Sequence, residues 1–233
     1  MCQWIPDRMN YLQEILDMEK LPADACNSGN SDNLIQCMDC FSTNILCGTC
    51  CLDAHKSLPF HRINWWNGKF FTRSSLHAQG YIMNLGHHGN PCPISNNVPQ
   101  EIRQDDFVEG MGIGVEDIQE DKDTGQEHRQ GDILMERVVI IVHTTGVFQH
   151  HVRWCTCPGH AKEDIQLLRL HLFPTSNVRP RTAFTFDVLD HFYVDAMECK
   201  TSGDSFFQKL HHLTNNAFPD VVPVGVFDHR SVL

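Results

Sequence analysis

The chain has 233 residues, of which 41% are hydrophobic, and a formal net charge of -11. This length is enough for one large domain or two small ones with a packed core, and no apolar run approaches the length of a membrane span. The N-terminus lacks the basic and apolar regions of a secretory signal, so we expect an intracellular protein whose cysteines stay reduced. Clustered cysteines in such a protein are typical of metal sites rather than disulfides.

The negative charge is concentrated in one segment. Between Glu101 and Glu136 there are 12 acidic and 3 basic residues, and aromatic residues are scarce. This composition predicts a flexible acidic loop over 99–136. The rest of the chain is close to neutral, and the lack of a basic field argues against nucleic-acid binding by the chain on its own.

An amphipathic helix is predicted near the N-terminus, over Asp7–Lys20. Tyr11, Leu12, Ile15 and Leu16 recur at helical spacing and give this helix one apolar face. We expect the apolar face to pack on the cysteine cluster that follows.

Six of the chain's 11 cysteines lie in that cluster, between Cys26 and His61. A C-x-x-C pair lets two thiolates reach one tetrahedral ion from a single tight turn, and two such pairs followed by two histidines are a strong zinc signal. In a cross-braced zinc fold, the first and third ligand pairs share one ion and the second and fourth share another. This pattern predicts one complete site, which consists of Cys37, Cys40, His55 and His61.

The same pattern predicts a second site with one ligand missing, formed by Cys26, Cys47 and Cys50. The missing ligand would stand at Gly29 if the first pair were C-x-x-C. The gap could be filled by Cys51, by Asp32, by a water molecule or by a residue from outside the cluster. The alternative for the cluster as a whole is that its cysteines are ordinary buried thiols.

A dense set of aromatic residues follows the cluster, namely Trp65, Trp66, Phe70 and Phe71. A zinc-held fold has a small core, so we expect these rings to cover it. The alternative is a nucleic-acid stacking surface, in which basic side chains lie among the rings. The basic residues of that alternative are Arg62, Lys69 and Arg73.

A third metal site is predicted from residues that are far apart in the sequence. His87 and Cys92 lie before the acidic segment, and Cys155 and Cys157 form a C-x-C step after it. Together they would complete a tetrahedral site and tie the two parts of the chain together. His160 could replace His87, and the alternative is that these residues are unconnected.

The second half of the chain is predicted to start with a β-hairpin. Val138–His143 and Val147–Trp154 flank Thr144-Thr145-Gly146, where Gly146 supplies a positive φ. Apolar periodicity predicts helices after the hairpin. These predicted helices are Gln166–Phe173, Thr182–Val194 and a third helix capped by Ser202.

Several separated motifs in this order resemble the cysteine-cluster domain that precedes the catalytic domain of fungal Kyakuja–Dileera–Zisupton (KDZ) transposases. The resemblance extends from about Trp4 to Pro223 and is carried by YLQEIL, CMDC, CGTC, PFHRINWWNGKFF, SLHAQGYIMNLGHHGNPC, WCTC, QLLRLHLFPTSNVRPRTAFTFDVLDHF and KTSGDSFFQKLHHLTNN. The chain departs from the family pattern where the first C-x-x-C reads CNSG, and its acidic segment is longer. The nuclease part of the family, with its metal-binding carboxylates, is not evident.

The resemblance implies a non-catalytic zinc-binding module that acts in transposon assembly or target engagement. It further implies two or three zinc ions, a nuclear location, and a transposase catalytic domain or another protein as partner. DNA is a weakly supported partner through Arg62, Lys69 and Arg73, and no membrane partner is expected. We expect the chain not to be an enzyme.

The expected fold class is α+β, with a small zinc-stabilised cross-brace module similar to a B-box, followed by a β-hairpin and a helical segment. The expected divisions are an N-terminal helix over 1–25, the cysteine-cluster module with aromatic cover over 26–98, the acidic loop over 99–136, the hairpin and helical part over 137–220, and a tail over 221–233.

Two other function classes are consistent with parts of the pattern. A B-box-like protein-interaction module unrelated to transposition would show the same cross-brace. A zinc enzyme would keep one coordination position open for water, as the site of Cys26, Cys47 and Cys50 does. The enzyme is disfavoured because three thiolates make zinc a poor Lewis acid, and the sequence places no obvious general base.

Overall fold

The computed structural model describes residues 5–22, 26, 28–42, 44–94 and 136–222. The chain forms two compact units, Met1–Met83 and Asn84–Leu233, called unit 1 and unit 2 below. The predicted acidic loop over 99–136 and the tail over 221–233 lie almost entirely outside the described residues. Among the helices of the described ranges, none combines the length and the apolar character that crossing a membrane requires.

Unit 1 is built on a four-stranded antiparallel sheet. Its strands have the order β2-β1-β3-β4, and a short helix, α2, follows β2 directly. The elements of unit 1 are α1 (Arg8–Met18), β1 (Leu34–Cys37), β2 (Ile45–Cys47), α2 (Gly48–Ala54), β3 (Ile63–Trp66) and β4 (Phe71–Ser74). A further strand, β5 (Ile82–Asn84), contains the point at which the chain divides.

The apolar core of unit 1 is small. Leu34, Ile35 and Ile63 from the central strands are buried, together with Ile45 from β2 and Leu76 from the loop after β4. A sheet whose strands are three or four residues long buries too little apolar surface to be stable alone. Additional constraints on the fold are therefore expected in this unit.

The first helix exists, but its predicted packing on the cysteine cluster is wrong. α1 spans Arg8–Met18, in agreement with the predicted position. None of its residues is buried, and Tyr11, Leu12, Ile15 and Leu16 are each about half exposed. Helical periodicity predicts which residues share a face, but it contains no information about which surface covers that face.

In its described residues, unit 2 combines a mixed sheet with three helices. Its strands β7, β6, β9 and β8 are adjacent in that order; β6 pairs antiparallel with β7 and parallel with β9. The elements are β6 (Glu136–His143), β7 (Gly146–Arg153), α3 (Glu163–Leu168), β8 (Leu172–Pro174), β9 (Thr182–Thr185), α4 (Phe186–Cys199) and α5 (Gly203–Thr214), with 3-10 turns at His87–Gly89 and Pro219–Val221.

The predicted hairpin is confirmed. β6 and β7 pair along their whole length, from Glu136 opposite Arg153 to His143 opposite Gly146. Gly146 has a φ of 148°, and a Cβ built on it would lie 2.6 Å from Thr214 Oγ1. Glycine is therefore required here both for the turn and for the close approach of α5.

Two of the three predicted helices are wrong in part. The predicted helix Gln166–Phe173 stops at Leu168, and Leu172–Pro174 forms β8. The predicted helix Thr182–Val194 begins with β9, which pairs with both β6 and β8. The sheet supplies hydrogen bonds on both sides of Thr182–Thr185, and this tertiary pairing overrides the helical periodicity.

The helix caps in this part of the chain follow sequence rules. Thr185 accepts a hydrogen bond from the backbone N–H of Val188 and so starts α4 directly after β9. Ser202 accepts one from Ser205 and caps α5 as predicted. The core of unit 2 lies between the hairpin and these two helices and contains Val142, Val147, Val188, Phe206, Leu210 and Val222. The expectation of a mainly helical second half is thus corrected to a mixed sheet with helices.

Candidate metal centres

The first predicted site is assembled in unit 1 and is called group 1. Cys37 ends β1, Cys40 lies in the turn after it, and His55 and His61 follow α2. The Nδ1 atom of His61 lies 3.4 Å from the sulfur of Cys37 and 3.4 Å from that of Cys40. The Nε2 atom of His55 lies 3.5 Å from the Cys40 sulfur. One atom from each residue therefore points to a common centre.

The ring of His55 is held in the orientation that a metal ligand needs. Its Nδ1–H donates a hydrogen bond of 2.8 Å to the backbone carbonyl of Cys51, one turn earlier in α2. Nε2 is thereby left to face the thiols, and the side chain is only 1% exposed. A backbone acceptor on the second ring nitrogen is the usual way in which proteins orient a metal-binding histidine.

Hydrogen bonds also fix the turn between Cys37 and Cys40. The Asp39 carboxylate accepts from the backbone N–H of Arg62 at 2.6 Å and from its guanidinium at 2.6 and 3.1 Å. Burial raises the pKa of Asp39, but the hydrogen bonds and charge of Arg62 outweigh it and lower the pKa below its ordinary value. This ionised pair links the thiol turn to the residue beside His61.

The electrostatics of group 1 favour a cation at its centre. Burial raises the pKa of Cys37, but hydrogen bonds from His55 and from two backbone N–H groups outweigh it and lower the pKa to about 6. Hydrogen bonds to Cys37 and Cys51 raise the pKa of His55 to about 11. Without a metal the group thus holds a proton between thiolate and imidazole, and a divalent cation would displace that proton.

The second predicted site, called group 2, also comes together in unit 1. Cys26, Cys47 and Cys50 place their sulfurs within 4.8 Å of one another. Cys47 is the N-cap of α2 and Cys50 lies in its first turn. The start of α2 thus presents two of the three thiols.

The residues that the sequence suggests for the missing fourth ligand of group 2 do not join the group in the structure. Cys51 is 1% exposed and its sulfur lies 3.6 Å from Nδ1 of His55, so it belongs to the surroundings of group 1. Asp32 and Gly29 are exposed, and neither joins the cluster among the described residues. Ser28, which the sequence pattern does not indicate, lies beside this group. Its hydroxyl contacts the sulfurs of Cys26 and Cys47, and its hydrogen bond is the main cause that lowers the pKa of Cys26 to about 6.

The third predicted site, called group 3, lies within unit 2. The Leu85 N–H donates to the Arg153 carbonyl at 2.8 Å, which brings the segment with His87 and Cys92 to the end of β7. Nε2 of His87 lies 3.2 Å from the Cys155 sulfur and 3.4 Å from that of Cys157. The sulfurs of Cys92 and Cys157 are 3.6 Å apart. The four predicted ligands of group 3 therefore lie together. They are His87, Cys92, Cys155 and Cys157.

His160, the predicted alternative to His87, is outside this group. It is exposed, and its Nδ1–H donates to the Cys157 carbonyl at 2.9 Å. Of the two histidines, His87 is therefore the one that faces the thiols.

The interatomic distances fit a tetrahedral zinc ion in groups 1 and 3. Zn–S bonds of about 2.3 Å and Zn–N bonds of about 2.0 to 2.1 Å give N···S edges of about 3.6 Å and S···S edges of about 3.8 Å in a tetrahedron. The distances given above lie within a few tenths of an ångström of these values. All these cysteines are free thiols, and their spacing is far longer than a disulfide bond. Three groups of cysteine and histidine side chains could thus hold metal ions, and their chemistry is consistent with zinc.

The C-x-C step of group 3 lies in the part of the chain that is similar to a known family. Residues 117–218 match the family model described as "CxC2 like cysteine cluster associated with KDZ transposases". This CxC2 region is less than half of the chain and includes Cys155 and Cys157, but not His87 or Cys92. It covers only the later part of the range over which the sequence resembles the family. Comparisons with curated proteins and with solved structures gave no match.

A buried glutamine in the CxC2 region holds the backbone of group 3. Gln166 is 4% exposed; its Oε1 accepts from the Cys155 N–H at 2.9 Å, and its Nε2 donates to the carbonyls of Cys155 and Ala161 at 3.0 and 2.8 Å. In the sequence, Gln166 is recognisable only as part of a predicted helix. No spacing rule connects a glutamine in α3 to a cysteine eleven residues earlier, so only the structure could find it.

We expect Gln166→Leu to weaken metal binding at group 3. The substitution keeps the approximate volume but leaves the N–H and carbonyl of Cys155 without their partners, at a cost of about 1 to 3 kcal/mol. Loss of such an orienting contact should lower zinc affinity about 10- to 100-fold, measured by competition with a coloured chelator. Gln149→Leu, an exposed position on β7, is the control. Equal zinc retention in both variants would show that the glutamine does not support the site.

The predicted nucleic-acid residues lie in different surroundings. Arg62 is engaged by Asp39, so its guanidinium already has a carboxylate partner. Lys69 and Arg73 are exposed, and the register of β3 and β4 puts Arg73 on the face that carries Trp66 and Phe71.

The aromatic residues cover the core of unit 1 only in part. Trp66 and Phe71 are partly buried and stack edge-to-face at 5.0 Å. Trp65 and Phe70 are 39% and 58% exposed. None of the four rings is fully buried, so the predicted aromatic cover over the core is incomplete.

Proposed function

We propose that the chain is a non-catalytic zinc-binding cysteine-cluster protein that acts with KDZ transposases, in transposon assembly or target engagement. One observation carries the proposal: the C-x-C step in the CxC2 region closes group 3 with His87 and Cys92 in near-tetrahedral geometry. The matched family is described as a cysteine cluster associated with transposases, not as a catalytic domain.

Zinc would have a structural role in this protein. Cys37, Cys40, His55 and His61 would hold one ion in unit 1, and His87, Cys92, Cys155 and Cys157 one in unit 2. Four protein ligands leave no open position for water, which is typical of structural sites. The ions would supply folding free energy that the small core of unit 1 lacks. With group 2, the chain would bind three ions.

The proposed partner is the transposase catalytic domain or another protein of the same assembly, and the proposed location is the nucleus. DNA contact is a weaker part of the proposal. It is supported by Arg62, Lys69 and Arg73 beside Trp66 and Phe71, although Arg62 also pairs with Asp39. Without a basic field elsewhere, such contact would contribute to target engagement rather than provide it.

A B-box-like interaction module is the second candidate function. It is supported by the arrangement of groups 1 and 2, whose ligands alternate along the chain and meet at opposite ends of α2. The two candidates differ in genomic context. A neighbouring reading frame that encodes a nuclease-like domain supports the transposase role, and unrelated neighbours support the interaction module.

The direct test of the proposal is the zinc content of the purified chain. Elemental analysis should give three zinc ions per chain, and Cys155→Ser should bind about one fewer because group 3 loses a thiolate. The matched control is Cys199→Ser, which replaces an exposed cysteine outside the three groups and should keep all three ions. A Cys155→Ser variant that keeps three ions would contradict the assignment of group 3.

A further inference from the structure

Neither Cys51 nor Asp32, the side chains proposed from the sequence, takes the fourth ligand position of group 2. Cys26, Cys47 and Cys50 give three sulfurs, and a tetrahedral ion needs one more donor. The donor must place one atom about 3.6 Å from each sulfur, which is the O···S edge of a zinc tetrahedron.

The hydroxyl of Ser28 is placed to fill this position. Its Oγ lies 3.2 Å from the Cys26 sulfur and 3.5 Å from the Cys47 sulfur. One oxygen thus contacts two of the three members of the group. The N–H of Asn30 donates to the same oxygen at 3.4 Å.

Residue 29, which would be the second cysteine of a C-x-x-C pair, is a glycine and offers no side-chain ligand. Gly29 has a φ of 72°, a left-handed conformation that favours glycine over residues with a side chain. Its N–H donates to the Cys26 carbonyl at 3.0 Å, which closes the turn that presents Ser28.

We propose that Ser28 supplies the fourth ligand of group 2 through its hydroxyl, so that this is a three-thiolate, one-hydroxyl site for a thiophilic divalent cation. The inference rests on the proposed function, since it assumes that the groups bind metal. A neutral hydroxyl is a weak donor beside three thiolates. Cys26 and Cys50 are only partly buried and Ser28 is exposed, so this ligand can be exchanged for a stronger donor from solvent or from another molecule. Group 2 is therefore the labile site of the chain, in contrast to groups 1 and 3.

Cobalt binding to the full chain tests the inference, because Co²⁺ in a thiolate site absorbs visible light according to its ligands. The probe is Co²⁺ alone, and the Cys26→Ser variant gives the reference spectrum without group 2. Ser28→Cys should convert group 2 to a four-thiolate site with stronger sulfur-to-cobalt absorption. It should also slow the loss of this ion to a chelator by about tenfold or more. Ser28→Ala should speed that loss, while the signals of the other groups stay unchanged.

Gly29→Cys is the matched comparison, because it restores the C-x-x-C of the family pattern. It should leave the spectrum and the release rate of group 2 unchanged. If Gly29→Cys tightens group 2 and Ser28→Cys does not, the fourth ligand belongs to residue 29 and the inference is wrong. Equal release from Ser28→Ala, Ser28→Cys and the unchanged chain would also overturn it. A chain that binds no Co²⁺ in any group would overturn the proposed function together with the inference.

Discussion

Cys37→Ser should remove the ion of group 1 and unfold most of unit 1. The substitution leaves group 1 with three of its four ligands. It also removes the sulfur at the end of β1 that contacts His61 after α2. Structural zinc contributes on the order of 10 kcal/mol of apparent folding free energy in small zinc domains. The apolar core around Ile35 and Ile63 is too small to replace that contribution. Hydrogen exchange of amides in β1, β3 and α2 should rise close to the unprotected rate.

The matched control for this experiment is again a cysteine-to-serine change without a ligand role. Cys199 ends α4 and is exposed, so Cys199→Ser should keep both zinc content and amide protection. Removing zinc from the unchanged chain with a chelator should reproduce the exchange pattern of Cys37→Ser in unit 1. Full amide protection in Cys37→Ser would mean that the sheet of unit 1 is stable without the ion.

Gly86→Ala should weaken group 3 without changing any of its ligands. Gly86 precedes His87 and has a φ of 90° and a ψ of -179°, a conformation that is strained for residues with a side chain. A Cβ at this position would lie 3.0 Å from the Cys155 Cβ and 3.7 Å from its sulfur. The strain of about 1 to 3 kcal/mol corresponds to a loss of zinc affinity of roughly 5- to 150-fold, measured by chelator competition.

Gly89→Ala separates the two causes of that loss. Gly89 also has a positive φ, 85°, but no heavy atom lies within 4 Å of the position of its Cβ. It therefore carries backbone strain in the same segment without the contact to Cys155. We expect zinc affinity to fall clearly more in Gly86→Ala than in Gly89→Ala. The same affinity in both variants would show that the approach of Gly86 to Cys155 does not matter for the site.

Residue spacing predicted the three groups of candidate ligands well, because ligand geometry is local for C-x-x-C and C-x-C steps. The structure brings together Cys37 with Cys40 and Cys155 with Cys157, as these spacings require. The pairing of His87 and Cys92 with the distant C-x-C step is predicted only from the number of ligands that a tetrahedral site needs. The backbone bond from Leu85 to Arg153 supplies its physical basis, and no sequence rule contains that bond.

The supporting residues could not be predicted, because their roles depend on tertiary contacts. Asp39 lies between two ligand cysteines, yet its partner Arg62 is 23 residues later. Ser28 and Gln166 have ordinary neighbours in the sequence and gain their roles only when the chain brings thiols or backbone groups to them. The ion pair of Arg62 with Asp39 could not be predicted for the same reason, since residues 23 positions apart meet only through the tertiary fold.

The predicted element boundaries are wrong where a strand runs directly into a helix. Thr182–Thr185 forms a strand and its last residue caps the helix that follows, so a single helical period could not describe it. The predicted packing of the apolar face of α1 is wrong for a different reason. Its helix was predicted correctly, and its exposure shows that periodicity alone does not determine what a helix packs against.

The position of α2 would couple the two metal groups of unit 1. This helix of seven residues has Cys47 and Cys50 at its start and His55 directly after its end. An ion at group 1 would hold the end of the helix, so an ion at group 2 would meet ligands that are already ordered and would lose less chain entropy on binding. Such coupling would be reciprocal. Loss of the ion from group 1 should therefore also weaken zinc binding at the more labile group 2.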